Sequence, residues 1–202
     1  DGDENAPGED DTATGRVGLD LQMPVITDDT QVSGAGDFDH PERLGEITLS
    51  LQASGSSVLP GDTTLVYTKD GESDLTALAK NDEGGYTIII LDGSGAIDTD
   101  LHHGGLQLGE PGVNYLTQTE YQSIAAQLEE HRHENFEVVV SVSSYEVGGT
   151  GTPLPDTDVA GSNGAESTQT ITVDVRAVTD PVSLEVQEGA GQADVAIVVS
   201  TD

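Results

Sequence analysis

Asp37-Phe38-Asp39-His40-Pro41-Glu42 sets three carboxylates at i, i+2 and i+5. Acids at that spacing can converge on one hard cation from a loop. Ca²⁺ accepts about six to eight oxygens in loose geometry, whereas Mg²⁺ demands a near-ideal octahedron, so Ca²⁺ suits the stretch better. Asp28 and Asp29, just ahead of it, offer further oxygen donors. The pattern is not that of an EF-hand, which needs a longer fixed ladder of acids around a central Gly. Spacing alone leaves a solvated acidic loop equally open.

Two more carboxylates stand where strands end. Glu146 closes the apolar run that finishes Ser143-Ser144-Tyr145-Glu146, and Asp180 follows the last full strand in Val178-Thr179-Asp180-Pro181. An acid where a strand leaves a domain is well positioned to share a cation with the next domain; an ordinary exposed acid fits the same place. The histidines make a poor transition-metal site. His131 and His133 at i and i+2 do not share a helix face, and a cation near a helix C-terminus is favourable without metal. His102-His103 sits in a loop-like stretch. No nucleophile elbow, zinc-protease motif or phosphate-binding loop occurs, and among so many acids a glycosidase-like pair carries no weight. A non-enzymatic role is expected.

The acids dominate the whole chain. Its 202 residues carry 38 Asp and Glu against 6 Lys and Arg, a net charge of −32. Such a surface repels nucleic acid and anionic lipid. The excess must be met by bulk salt, by divalent cations, or by both. The absence of Cys excludes disulfides, thiolate metal sites and cysteine nucleophiles. No apolar run approaches the roughly 18 residues of a membrane span. The chain opens at Asp1 rather than Met, as expected of a processed chain or a piece of a longer one.

The elements that must position these acids read as strands. Arg16 to Ile26 alternates, and Leu44 to Leu51 sets Ile47, Leu49 and Leu51 against Thr48 and Ser50. Thr64 to Thr68 is a short strand, Leu75 to Ala79 is ambiguous, and Tyr86 to Leu91 is apolar throughout, as in a strand buried on both faces. Residues 92–114 read as loop. Phe136 to Val147 and Thr168 to Val178 alternate clearly, and Val182 to Val186 and Asp194 to Ser200 give short strand signals. One amphipathic helix is expected over Thr117 to Glu134, with Thr117 and Glu120 at capping-box separation and Tyr121, Ile124, Ala125 and Leu128 at helical spacing. Residues 148–166 read as a long polar loop. The sum is an all-β, antiparallel sandwich with one inserted short helix. Residues 1–14 read as an acidic linker, 15–180 as the sandwich, and 181–202 as a C-terminal linker or the opening of another unit. Ala6-Pro7-Gly8-Glu9-Asp10-Asp11-Thr12-Ala13 and Gly189-Ala190-Gly191-Gln192-Ala193-Asp194-Val195-Ala196 echo each other weakly, as the two ends of a tandem repeat would.

In order, these features resemble the tandem repeats of large bacterial RTX-type adhesins secreted by type I machinery. Gly8-Glu9-Asp10-Asp11 looks like the family's acidic opening, and Asp37 to Glu42 resembles its acidic loop. Ser144-Tyr145-Glu146 matches its later strand end, and Ile171-Thr172-Val173-Asp174-Val175-Arg176-Ala177-Val178-Thr179-Asp180-Pro181 its close. His40-Pro41 departs from the family's Gly-Ser, and Asp180-Pro181 lacks the small residue usually between. The resemblance implies an immunoglobulin- or cadherin-like sandwich whose Ca²⁺ ions rigidify the joints between neighbouring repeats. It implies Asp37, Asp39, Glu42, Glu146 and Asp180 as ligands, with Glu9 and Asp11 as further candidates; Asp28 joins them only by its place ahead of the acidic loop.

The expectation is a calcium-rigidified extender module of a secreted, cell-surface adhesin serving cell adhesion or biofilm formation. Its partners would be neighbouring repeats of the same polypeptide. Scarcity of Lys points to a saline extracellular setting. Two other readings stand beside it: a self-assembling capsid, pilus or surface-layer subunit of a halophile, and a carbohydrate-binding module or hydrolase.

Overall fold

Among the described residues, alternation of apolar and polar residues resolves into nine strands and one helix. The computed structural model describes residues 15–26, 41–55, 63–128, 135–155 and 164–175. Along the chain come β1 (Arg16–Gly18), β2 (Glu42–Ala53), β3 (Thr64–Thr68), β4 (Leu75–Ala77), β5 (Tyr86–Leu91), β6 (Val113–Thr117), α1 (Gln118–Gln122), β7 (Ala125–Gln127), β8 (Phe136–Glu146) and β9 (Ala165–Val173). They form two sheets, four-stranded in the order β1-β7-β3-β4 and five-stranded in the order β6-β5-β2-β8-β9. The protein is an all-β sandwich. The residues assigned above to the flanking linkers, 1–14 and 181–202, lie outside the described residues, as do both halves of the terminal echo.

One core joins the sheets. Ile47 and Leu49 of β2, Ile88 and Ile90 of β5, and Phe136, Val138 and Val140 of β8 meet Leu65 of β3 and Ala126 of β7. Burying each large aliphatic side chain contributes about 1.5–3 kcal/mol. Strand β5 is buried on both faces, from Tyr86 through Ile90, as its unbroken apolar run predicts. In β9 the pattern is the reverse: Ala165 to Thr170 are exposed, and Ile171 and Val173 reach the core.

The structure corrects the sequence reading in four places besides β9, which runs Ala165–Val173 rather than Thr168 to Val178 and so begins inside the expected loop. First, the large sheet is mixed: β5 and β6 are parallel, from Thr87↔Val113 to Leu91↔Thr117. Second, β6 begins inside the stretch expected to be loop. Its buried positions are Leu116 and Asn114, so one inward residue is polar and the alternation is hidden. The Asn114 amide stands in for a missing strand. Its Oδ1 accepts from Ala79 N at 2.7 Å, and its Nδ2 donates to Ala79 O at 2.9 Å and to Thr87 O at 3.0 Å.

Third, the helix expected over Thr117 to Glu134 stops at Gln122. Its start is as expected: Thr117 Oγ1 accepts from Glu120 N at 3.2 Å, and Glu120 Oε2 accepts from Thr117 N at 2.9 Å. Ser123 ends it, its hydroxyl bonding Glu120 O at 2.7 Å while accepting from Thr68 N at 3.0 Å. Beyond it, Ile124, Ala126 and Leu128 enter the core as alternating residues. Those apolar positions fit a period of two as well as a helical one, and pairing of β7 between β1 and β3 decides the matter. Fourth, the first strand is three residues, not the whole of Arg16 to Ile26. Asp20 takes a left-handed φ of 49°, which breaks the extended run although Leu19 and Leu21 remain in the core.

Strand β2 is the centre of the large sheet, and it carries one irregularity. Its register with β8 shifts between Leu44 and Ile47, so Gly45 and Glu46 stand against Ser143 alone, a β-bulge. Gly45 is fixed by space: a Cβ there would lie 2.8 Å from Tyr145 Cε2. The same ring packs edge-on against His103.

Gly45→Ala should therefore destabilise the protein by about 1–3 kcal/mol. In urea this appears as a lower midpoint at unchanged slope. Adding Tyr145→Ala should cost less than the sum of the two single changes. Asn114→Ala removes the bonds to Ala79 N, Ala79 O and Thr87 O and should cost about 1–2 kcal/mol, read on the same urea curves.

Candidate metal centre

Pairing of β2 with β8 brings two carboxylates together. Glu42, the first residue of β2, is the register partner of Glu146, the last residue of β8. Directly opposed residues in an antiparallel pair have Cβ atoms about 4.5–5.5 Å apart and share a face. By alternation along β8, Glu146 lies on the side that Phe136, Val138 and Val140 turn to the core. Both acids are part-buried. They therefore stand at one end of the sheet, on the margin of its inner face.

Backbone bonds hold that end closed. Val147 N donates to Pro41 O at 3.0 Å and Leu154 N to Glu146 O at 2.9 Å. The chain turns back on itself between them, with Gly148 N donating to Thr152 O at 2.9 Å. Arg43 ties the same end to the crossover between β5 and β6. Its Nη1 donates to Glu42 O at 2.9 Å and its Nε to Thr99 O at 3.2 Å. Two opposed acids at a strand end are hard-cation chemistry, able to supply part of a Ca²⁺ shell.

Of the acids singled out in the sequence, Glu42 and Glu146 are thus juxtaposed. Asp37, Asp39, Asp180, Glu9, Asp11 and Asp28 lie outside the described residues. Among the described residues no group of three or more His, Cys, Asp and Glu is arranged to hold a metal ion. In sequence, Asp37 and Asp39 run directly into Glu42 through His40-Pro41.

Other titratable groups have local tasks. Glu46, in the bulge, is raised above the ordinary carboxylate range by burial and then by the charge of Glu110. Asp92 is lowered by the Ser94 hydroxyl and by the amides of Ser94, Ala96 and Gly95, as expected of a carboxylate that organises a turn. Glu120 is buried, and besides capping α1 it accepts from Asp70 N at 3.0 Å.

The histidine pair separates by role. His102 is 1% exposed and both its ring nitrogens meet backbone. His103 stacks edge-on against Tyr145, ring centroids 5.1 Å apart. Nothing in the sequence distinguishes His102 from its neighbour except that it follows the apolar Leu101. The Glu46–Glu110 proximity also had no sequence signal, because the two lie on separate elements.

Compared with protein-family models, curated proteins and solved structures, the chain matches none. Among the described residues no helix is long and apolar enough to cross a membrane.

Proposed function

We propose that this chain is a calcium-rigidified extender module of a secreted, cell-surface adhesin of the RTX type, a structural element rather than a catalyst. The observation that carries the reading is the pairing of Glu42 with Glu146 at the end of the central strands. Like charges directly opposed across a sheet destabilise it by roughly 0.2–1 kcal/mol. A divalent cation between them reverses the sign of that interaction and adds metal–oxygen bonds. The net charge of −32 supports the same reading, since linker carboxylates repel one another until a cation gathers them.

In this proposal Asp37 and Asp39 complete the shell of Glu42 and Glu146 from the segment that leads into β2. Asp180, Glu9, Asp11 and Asp28 belong to the joints with neighbouring repeats of the same polypeptide, where bound Ca²⁺ turns a flexible linkage into a rod. The sandwich is immunoglobulin- or cadherin-like, and its place is outside the cell after type I secretion. Its work is to project a binding tip away from the surface in adhesion or biofilm formation.

Calorimetric titration of the chelator-stripped chain with Ca²⁺, in about 0.5 M NaCl to screen diffuse attraction, should give saturable binding of a few ions at micromolar affinity. Ca²⁺ at about a hundredfold above its Kd then adds about 2.7 kcal/mol, and the melting temperature should rise by roughly 5–10 °C over that in chelator. Glu42→Gln and Glu146→Gln should each remove most of that rise. Weak, unsaturable heat together with a melting curve indifferent to chelator would sink the calcium reading. Stabilisation by molar NaCl alone, with ordered oligomers, would put the halophilic assembly subunit in its place.

A further inference from the structure

A buried imidazole is one of the groups that fasten the crossover between β5 and β6 to the bulge of β2. Ile90 N donates to His102 Nε2 at 2.9 Å, and His102 Nδ1 meets Gly45 O at 2.8 Å. One tautomer satisfies both: Nδ1 carries the proton and donates to the carbonyl, while Nε2 offers its lone pair to the amide. Around the ring, Leu44 N donates to Leu101 O at 2.8 Å and His103 N to Leu44 O at 3.0 Å. These bonds bridge Leu44 and His102 in parallel. They hold segment 98–103 beside β2.

We propose that His102 is an acid-sensitive latch, whose protonation frees segment 98–103 from the bulged end of β2 while the two-sheet core stays folded. An imidazolium donates from both nitrogens. Its Nε2–H would face the N–H of Ile90, so the charged ring loses an acceptor and keeps a buried charge. The ring must leave the site or the Ile90 amide must go unpaired. Leaving is local, because Ile47, Leu49, Ile88 and Ile90 belong to the core cluster itself, against which the segment packs only the partly buried Leu101.

The charged groups around the ring do not reverse this. Burial opposes the charged form most strongly; backbone hydrogen bonding at Gly45 and Leu44 and then Asp98, on the same segment, favour it, and neighbouring His103 opposes it. On β2, Arg43 and Glu46 flank Leu44 and Gly45, and β8 presents Tyr145 opposite Arg43, its ring close to Gly45. The facing stretch of β5, Thr87 to Leu91, has no titratable side chain. Burial is the largest influence and lowers the pKa of His102 below its ordinary value.

The sign follows from linkage. With the ring released, its pKa returns to about 6.5, above the latched value, so the open form binds more protons in acid. The latch is at full strength above about pH 6.5. It weakens as pH falls below that, by at most tenfold per unit, until the latched pKa is passed.

The test uses the whole chain in chelator, so that it stands apart from calcium. Imidazole ¹⁵N spectra at about pH 7.5 should show His102 protonated at Nδ1 alone, titrating at lower pH than the other histidines. Amide exchange, corrected for its intrinsic pH dependence, should show protection at Leu44, Ile90 and His103 falling at least about tenfold by pH ~5. Ile47 and Ile88 should keep theirs. His102→Gln, which keeps a donor and an acceptor but takes no proton, should abolish the step. If that variant does not fold, the wild-type spectra decide. A proton on Nε2 at neutral pH, titration in step with the other histidines, constant protection, or loss shared equally with Ile47 and Ile88 would each overturn the proposal.

Discussion

The extra residue in β2 at Gly45-Glu46 is the constraint on which this end of the molecule depends. Side chains alternate strictly along a strand, so a one-residue shift of register moves every later side chain to the other face. The bulge makes that shift once. It lets Leu44 and Ile47 both be buried, and it sets Glu42 across from Glu146 instead of one position away. It also turns the Gly45 carbonyl out of the ladder, where His102 takes it. Tyr145 lies over the space that Gly45 leaves empty. The acid pair, the imidazole and the aromatic ring are thus three results of one backbone irregularity.

A chain this acidic cannot stitch its loops with ion pairs. Lys69 and Glu72 form one at 3.4 Å, but it is exposed and contributes little. Neutral amides share the stitching with charged groups such as Arg43, Asp92 and Glu120. Asn81 gathers its own turn, accepting from Glu83 N at 3.1 Å and Gly85 N at 2.9 Å. Asn135 accepts from Val175 N at 2.8 Å beyond the end of β9. Such bonds are insensitive to salt, so the body of the sandwich holds its shape whatever cations its surface gathers.

Strands that face the core on one side only, or that are buried throughout, were legible in the sequence because burial writes itself as alternation or as an unbroken apolar run. β3 and β5 lie where the pattern predicts, and β2 and β8 differ by a residue or two at their ends. What escaped had a polar residue in an inward position, as Asn114 does in β6, or apolar residues compatible with two periods, as at Ile124, Ala126 and Leu128. A left-handed Asp20 carries no compositional mark. At the candidate site, the strand-end position of Glu146 was legible, but its meeting with Glu42 was not. That meeting depends on pairing between segments far apart in sequence, and on a bulge that only the partner strand reveals.

The placement of β2 at the middle of the large sheet has a consequence for the order of events during synthesis. Its neighbours are β5 and β8, and β8 begins only at Phe136, long after β2 ends at Ala53. As the chain emerges N-terminus first, β2 has one flank available to β5 and the other left waiting, with its ladder groups unpaired. Pairings so distant in sequence close large loops before they gain contacts, which slows folding. The large sheet therefore closes on its second flank only once β8 has been made, when most of the described chain is available.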